Sequence, residues 1–159
     1  MKDNEKKDNY LSAVSLIEKL HRLFLETVKC ELDELRVKDI NNVQAMVLYN
    51  LGKDEITVGE LTSKGCYLGS NVSYNLKKMI QAGYIDHSSS AHDKRSSIIK
   101  LTPKGLAFRK HLDAAFDKQV ELLTEESFED APQVFALLKR LGVFWTHMSR
   151  RLTGFDFRK

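Results

Sequence analysis

Between positions 70 and 81 the chain sets polar side chains at helical spacing. Ser70, Asn71, Tyr74, Lys77, Lys78 and Gln81 share one side of a helix when about 100° is given to each residue. Val72, Leu76, Met79 and Ile80 share the other and are expected to be buried. No aspartate or glutamate interrupts the run. A solvated helix ordinarily mixes both signs, because glutamate is a good helix former and supports a lysine one turn later. Hydroxyls, amides, a phenol and ammonium groups alone make a donor-rich face suited to DNA. Asn71 and Gln81 can pair bidentately with adenine edges. Tyr74 can set its hydroxyl on a phosphate or its ring on a thymine methyl, and Lys77 and Lys78 supply charge. The helix N-terminus adds backbone donors for a phosphate. The preceding short helix, Val58 to Lys64, would cross the DNA backbone as the first member of a helix-turn-helix does.

A second group lies at His92-Asp93-Lys94-Arg95. An arginine on a thin loop can enter a minor groove, where narrowing concentrates negative potential, and Asp93 is close enough to orient it. His87 and His92 read as phosphate contacts beside Lys94. Taken alone, the group is a solvated hairpin tip with a weak ion pair; next to the basic helix it reads as a second contact.

The charge distribution agrees. The net charge is +3, but residues 64–110 hold nine Lys or Arg against Asp86 and Asp93, which is +7 locally and leaves −4 elsewhere. A basic middle in a slightly acidic chain is the electrostatic footprint of a polyanion-binding surface, or else one solvated face.

The elements that must carry these residues can be read along the 159-residue chain. Residues 1–9 form a polar tail. A long helix follows over 10–35, with Tyr10, Val14, Ile17, Phe24 and Val28 on one stripe and Leu16, Leu20, Leu23 and Thr27 on another, so it needs two packing partners. Asn41 and Asn42 can cap a second helix, with Val43, Met46, Val47 and Leu51 facing in, and Gly52 ends it. Ile56 and Thr57 are extended, and Gly65 closes the short helix. Ser70 can cap the basic helix, which stops at Gly83. Tyr84 to Ser88 and Ser97 to Leu101 form a β-hairpin around the polar turn Ser89 to Ser96. Thr102-Pro103 starts a fifth helix, to about Leu123. A sixth runs from near Pro132 to Leu152, with Val134, Leu138, Leu141, Trp145, Met148 and Leu152 spaced 4, 3, 4, 3, 4, a heptad seam. The two end helices carry more apolar surface than one small domain needs, which points to a homodimer built from both ends of the chain. The fold class is mainly α with a small β-hairpin wing, a winged helix-turn-helix core flanked by N- and C-terminal dimerisation helices.

Asn71-Val72-Ser73, Leu76-Lys77-Lys78-Met79, Ala82-Gly83-Tyr84-Ile85, Asp93-Lys94-Arg95 and Leu101-Thr102-Pro103-Lys104-Gly105 occur in the order and spacing that resemble the MarR family of bacterial regulators. The pattern is a recognition helix, a glycine, a hydrophobic strand, a wing with Asp-x-Arg, then Leu-Thr-x-x-Gly. The resemblance implies a two-fold dimer on inverted-repeat double-stranded DNA, with 37–103 as the DNA-binding lobe and 10–36 with 104–159 as the dimerisation region. It places Ser70, Asn71, Ser73, Tyr74, Lys77 and Lys78 in the major groove and Arg95 in the minor groove. It also implies a small aromatic effector between these regions. The segment Lys64-Gly65-Cys66-Tyr67-Leu68-Gly69 is richer in glycine and aromatics than the usual family turn. It is similar to a branch tied to cell-envelope and osmotic-stress genes, the LdtR-like regulators. Cys30, beside the apolar stripes of the first helix, and Cys66, before the recognition helix, are the candidates for ligand or redox sensing; each can equally be a small packing residue.

Other classes fit less well. There is no glycine-rich phosphate loop, no Gly-x-Ser-x-Gly elbow and no His-Glu-x-x-His helix, so an enzyme is not expected. His21, Cys30 and His111 lack ligand spacing, so neither metal nor cofactor is expected. No apolar run reaches membrane-spanning length and no secretory signal opens the chain, which makes the cytoplasm the expected compartment. A helical protein-interaction module would use the heptad seam but would leave the wing unexplained.

Overall fold

The computed structural model describes residues 2–63, 72–89 and 97–153. It divides into two compact units, Met1–Phe116 and Asp117–Lys159.

The first unit opens with helix α1, Lys2–Glu34. Lys2–Asn9, expected as a tail, is helical: it lacks Gly and Pro, and extending a helix already nucleated by the apolar residues behind it carries no second nucleation cost. Only the last turns of α1 enter the core, through Val28 and Leu32, while Leu11, Leu16, Leu20 and Leu23 stay exposed. The helix ends where Val37 N–H donates to the Leu32 carbonyl and Arg36 takes φ 54°. Helix α2, Asn42–Leu51, begins with a reciprocal cap: Asn41 Oδ1 accepts from Gln44 N–H, and Gln44 Oε1 accepts from Asn41 N–H. Gly52, at φ 79°, closes it.

Strand β1 (Ile56–Thr57), helix α3 (Val58–Ser63), helix α4 (Val72–Gln81), strand β2 (Ile85–Ser89), strand β3 (Ser97–Leu101) and helix α5 (Pro103–Leu122) follow. The expected hairpin gains a third strand: β1 pairs antiparallel with β3, giving the sheet order β1-β3-β2. Ile56 opposite Ile99, and Ile85 opposite Leu101, are all buried, so the sheet's inner face closes the core against α2 and α3. At the start of α3, Glu60 N–H donates to Thr57 Oγ1 and Thr57 N–H donates to Glu60 Oε2, a second reciprocal cap that ties the strand to the helix. The core gathers Leu48 and Leu51 of α2, Leu61 of α3, Met79 of α4, Tyr84, and Phe108 and Leu112 of α5.

The second unit holds the end of α5, a 3₁₀ turn at Glu125–Phe128 and helix α6, Ala131–Thr153. No helix among the described residues is long and apolar enough to cross a membrane.

Candidate nucleic-acid interface

Helix α4 is amphipathic in the sense the sequence requires. Leu76 and Met79 are buried, and Ser73, Tyr74, Lys77, Lys78 and Gln81 are exposed. Tyr74 is 61% exposed, and the Lys78 ammonium lies 5.7 Å from its ring centroid, so phenol and cation are presented together. Ile80, expected inside, is instead at the surface with 36% exposure. Only about three and a half residues complete a turn, so a ten-residue helix on a small core buries a narrow stripe, and Ile80 stands at its edge. Ser70, Asn71, Cys66, His92, Lys94 and Arg95 lie outside the described residues. His87 is exposed on β2, opposite Ile99.

The helix is held at both sides. Behind it, Gln44 of α2 is 5% exposed, and its Nε2 donates to Asn75 Oδ1 at 3.1 Å. The residue that closes the α2 cap therefore also positions the basic helix. At the C-terminus, Tyr84 N–H donates to the Met79 carbonyl and Gly83 N–H to the Ile80 carbonyl. This termination needs a left-handed residue, and Gly83 supplies φ 77°. Thr102 then clamps the root of the hairpin: its N–H donates to the Tyr84 carbonyl and its Oγ1 to the Gly83 carbonyl at 2.7 Å, while Gly105 N–H donates to Thr102 Oγ1. Gly105 is required here, since a Cβ would collide with the Tyr84 carbonyl oxygen.

One charged cluster joins these elements. Lys104 of α5 donates to Asp39 Oδ2 at 2.8 Å and to the Ala82 carbonyl at 2.7 Å, and stands 4.0 Å from the Tyr84 ring centroid. Tyr84 donates its hydroxyl proton to Asp39 Oδ1 at 2.9 Å. Partial burial works to raise the Asp39 carboxyl, but the hydrogen bonds from Lys104 and Tyr84 and the lysine's charge outweigh it and hold it below the ordinary aspartate value. Burial first, then the bond to Asp39, pushes the Tyr84 phenol up; the bond to Asp39 pushes Lys104 up. The Ala82 carbonyl that Lys104 bonds lies one residue past α4, where a cation is favoured.

The basic footprint is therefore narrower than the sequence suggests. Lys104 is matched by Asp39, and Lys100 by Glu55 at 2.9 Å. Arg109 donates Nε–H to the Tyr49 carbonyl and stacks 5.2 Å from that ring's centroid. Among the described residues of the middle segment, Lys77 and Lys78 are the cations that stand on the amide and hydroxyl face. Sequence reasoning missed Gln44, Asn75, Asp39 and the Thr102 clamp. The Asn-x-x-Gln spacing at 41–44 was the one local signal, because Gln at the third helical position after an Asn cap closes a capping box.

Cys30 is exposed on α1. No group of three or more His, Cys, Asp or Glu that could hold a metal gathers among the described residues.

A short capped helix, a second helix with a donor-rich outer face and an antiparallel sheet behind it define a winged helix-turn-helix DNA-binding domain. Residues 40–105 match the family model described as a winged helix DNA-binding domain. The chain is 36% identical over 143 residues to the exopolysaccharide II synthesis transcriptional activator ExpG of Rhizobium meliloti, covering 89% of this chain and 74% of that one. In structure it is similar to a MarR-like transcription regulator of Bacillus cereus, with TM-score 0.67 and 19% identity over 83% of this chain and 96% of that one. It is also similar to MepR of Staphylococcus aureus in its DNA complex, with TM-score 0.66 and 23% identity over 81% and 97%. The chain belongs to the MarR family of winged helix-turn-helix transcriptional regulators; its relatives and its fold are those of DNA-binding regulators, not enzymes.

Proposed function

We propose that this regulator acts as a two-fold dimer that reads an inverted repeat in double-stranded DNA, with half-sites about one helical turn apart. Residues 37–103 form the reading lobe, and 10–36 with 104–159 the dimerisation region. In each copy α4 enters the major groove with Ser73, Tyr74, Lys77 and Lys78, joined by Ser70 and Asn71. Arg95 enters the minor groove, and His92 and Lys94 meet phosphates. The observation that carries this reading is the exposed, acid-free face of α4, backed by the Gln44–Asn75 bond and the Gly83 termination. The DNA complex of MepR supports the use of this fold on a duplex. The exposed leucines of α1 and the exposed apolar residues of α6 support the dimer.

A small aromatic molecule is the effector class that fits. A cleft of about 250 Å³ opens beside Tyr84, Phe108 and His111, which offers aromatic walls. Its occupant would lie against the cluster that holds the end of α4, and so would change the helix's footing.

Selection from random duplexes tests the reading. Recovery of an inverted repeat, bound by a particle of twice the chain mass, is the expected result. Tyr74→Ala and Lys77→Ala should each weaken binding to that site by roughly 5- to 100-fold, the range for loss of one good contact, with helix content and mass unchanged. Duplexes recovered without any common sequence would overturn it.

A further inference from the structure

Three observations meet within the first turn of α2. The first is Gln44, the one buried amide or charged side chain among the described residues. An apolar residue of that size would fill the space with no amide to desolvate. Gln44 instead engages both ends of its amide: Oε1 accepts from Asn41 N–H at 3.0 Å, and Nε2 donates to Asn75 Oδ1 of α4 at 3.1 Å. The second is Asn42, two positions before it. Its Nδ2 donates to the Leu25 carbonyl of α1 at 2.9 Å while its Oδ1 accepts from Val43 N–H. The third is where on α1 that bond falls. Leu11, Leu16, Leu20 and Leu23 are exposed before it, and Val28 and Leu32 are buried after it. Asn42 therefore grips α1 where its exposed stretch ends and the core begins.

We propose that Asn42 and Gln44 determine which half-site spacing the protein accepts, by locking the reading helix α4 to α1. The proposal rests on the dimer reading above. In that dimer α1 belongs to the joined region and α4 to the reading lobe. The separation of the two reading helices is then fixed only as firmly as each α4 is fixed to its own α1. Packing of α1 on α2 is non-directional and permits sliding. A hydrogen bond holds a length and an angle. Asn42 and Gln44 stand on one turn of one helix, so the bond to α1 and the bond to α4 act in series. A polar network whose members are satisfied specifies a single arrangement. One base pair added between half-sites moves them by about 3.4 Å and turns them by about 34°. Locked lobes cannot follow that change, and loosened lobes follow it in part. Both residues act through α4, as positioning residues and not as base contacts.

The test is the affinity of the full chain for three duplexes: the selected inverted repeat, and the same repeat with one base pair added or removed between its half-sites. The parent should lose at least about tenfold on either altered duplex, within the range usual for coupled sites. Asn42→Asp keeps the acceptor for Val43 N–H and removes the donor to Leu25. Gln44→Met removes the bond to Asn75 and keeps a long unbranched side chain. In each variant, with helix content and mass unchanged, the loss should shrink below about fivefold, the low end of that range. The ratio between duplexes cancels any uniform effect of the added charge or of reduced stability. Because the bonds act in series, the double variant should be no less selective than the weaker single variant. Affinity that falls alike on all three duplexes, with the ratios of the parent kept, would show that the two residues serve folding alone and overturns the proposal. A parent that accepts all three spacings equally also overturns it while the dimer stands. Selection that returns no inverted repeat, or a particle of monomer mass, overturns the dimer reading and the proposal with it.

Discussion

At the scale of single residues, the Asp39–Lys104–Tyr84 cluster shows how a position can look like a DNA contact and act inside the fold. Lys104 lies in the basic segment, yet its ammonium is held by Asp39 and the Ala82 carbonyl. The ion pair is about half exposed, so screening keeps it modest: a double-mutant cycle of Asp39→Asn with Lys104→Met should give a coupling of about 0.5–1 kcal/mol. The pH dependence has a definite sign. Because the folded Asp39 carboxyl sits below its ordinary value of 3.8, its contribution is fully present above that pH and is lost as pH falls further below it. The melting difference between the parent and Asp39→Asn should therefore be constant from neutral pH down to the ordinary aspartate range and shrink below it. A difference that grew on acidification would show that the pair does not stabilise the fold. Gly105 answers to geometry alone. Gly105→Ala pushes a methyl into the Tyr84 carbonyl oxygen, which also accepts from Thr102. Overpacking of that kind costs about 1–3 kcal/mol, and at about 2–4 °C per kcal/mol the melting temperature should drop visibly by calorimetry.

At the scale of elements, the sequence was most legible where a periodic stripe met a chemical stop. Helices α2, α4 and α5 ended or began at Gly52, Gly83 and Thr102-Pro103 because a left-handed residue, or a cap followed by proline, leaves the backbone few alternatives. The outward face of α4 was legible for the same reason, and it is exposed and free of acids as the spacing required. The sheet was less legible. Ile56-Thr57 is too short to announce a strand, and only its partner, Ile98-Ile99, more than forty residues away, makes it one. The start of α1 was hidden because a charged run can be coil or helix, and which one depends on whether a nucleus adjoins it. Ile80 was misplaced because periodicity gives a direction and the core decides how wide a stripe it covers. The bond between Gln44 and Asn75 spans 31 positions and has no local signature. It nonetheless ties α4 to α2. Gln44→Leu should remove the side-chain half of the α2 cap, the bond from Asn41 N–H, together with the bond to Asn75 Oδ1, at about 1–3 kcal/mol. DNA affinity should fall further than stability explains, since α4 loses its lateral tie. Equal affinity at temperatures where both proteins are fully folded would show that packing alone aligns the helix.

At the scale of the whole molecule, the question is which of the 25 Lys and Arg residues the DNA sees. Counterion release gives a way to count them, because the slope of log affinity against log salt falls by about 1 for each phosphate contact removed. Were net charge the cause, every lysine of the basic segment would be equivalent and each substitution would flatten the slope alike. The structure separates them. Lys100 and Lys104 already face Glu55 and Asp39, and drawing either toward a phosphate would leave a carboxylate unmatched. Lys77 and Lys78 stand exposed on α4 with no acid in the helix. Lys77→Ala should therefore lower the slope by about 1 per copy of the chain, so that a dimer on an inverted repeat loses about 2. Lys100→Gln should leave it unchanged, even though both variants lower the net charge equally. Titrations of the selected duplex across a series of salt concentrations measure this directly. Equal slopes for the two variants would mean that the long-range field of the molecule governs binding and the α4 face is not where the phosphates lie. Unequal slopes, with the loss at Lys77 doubled, would place two copies of α4 on one duplex.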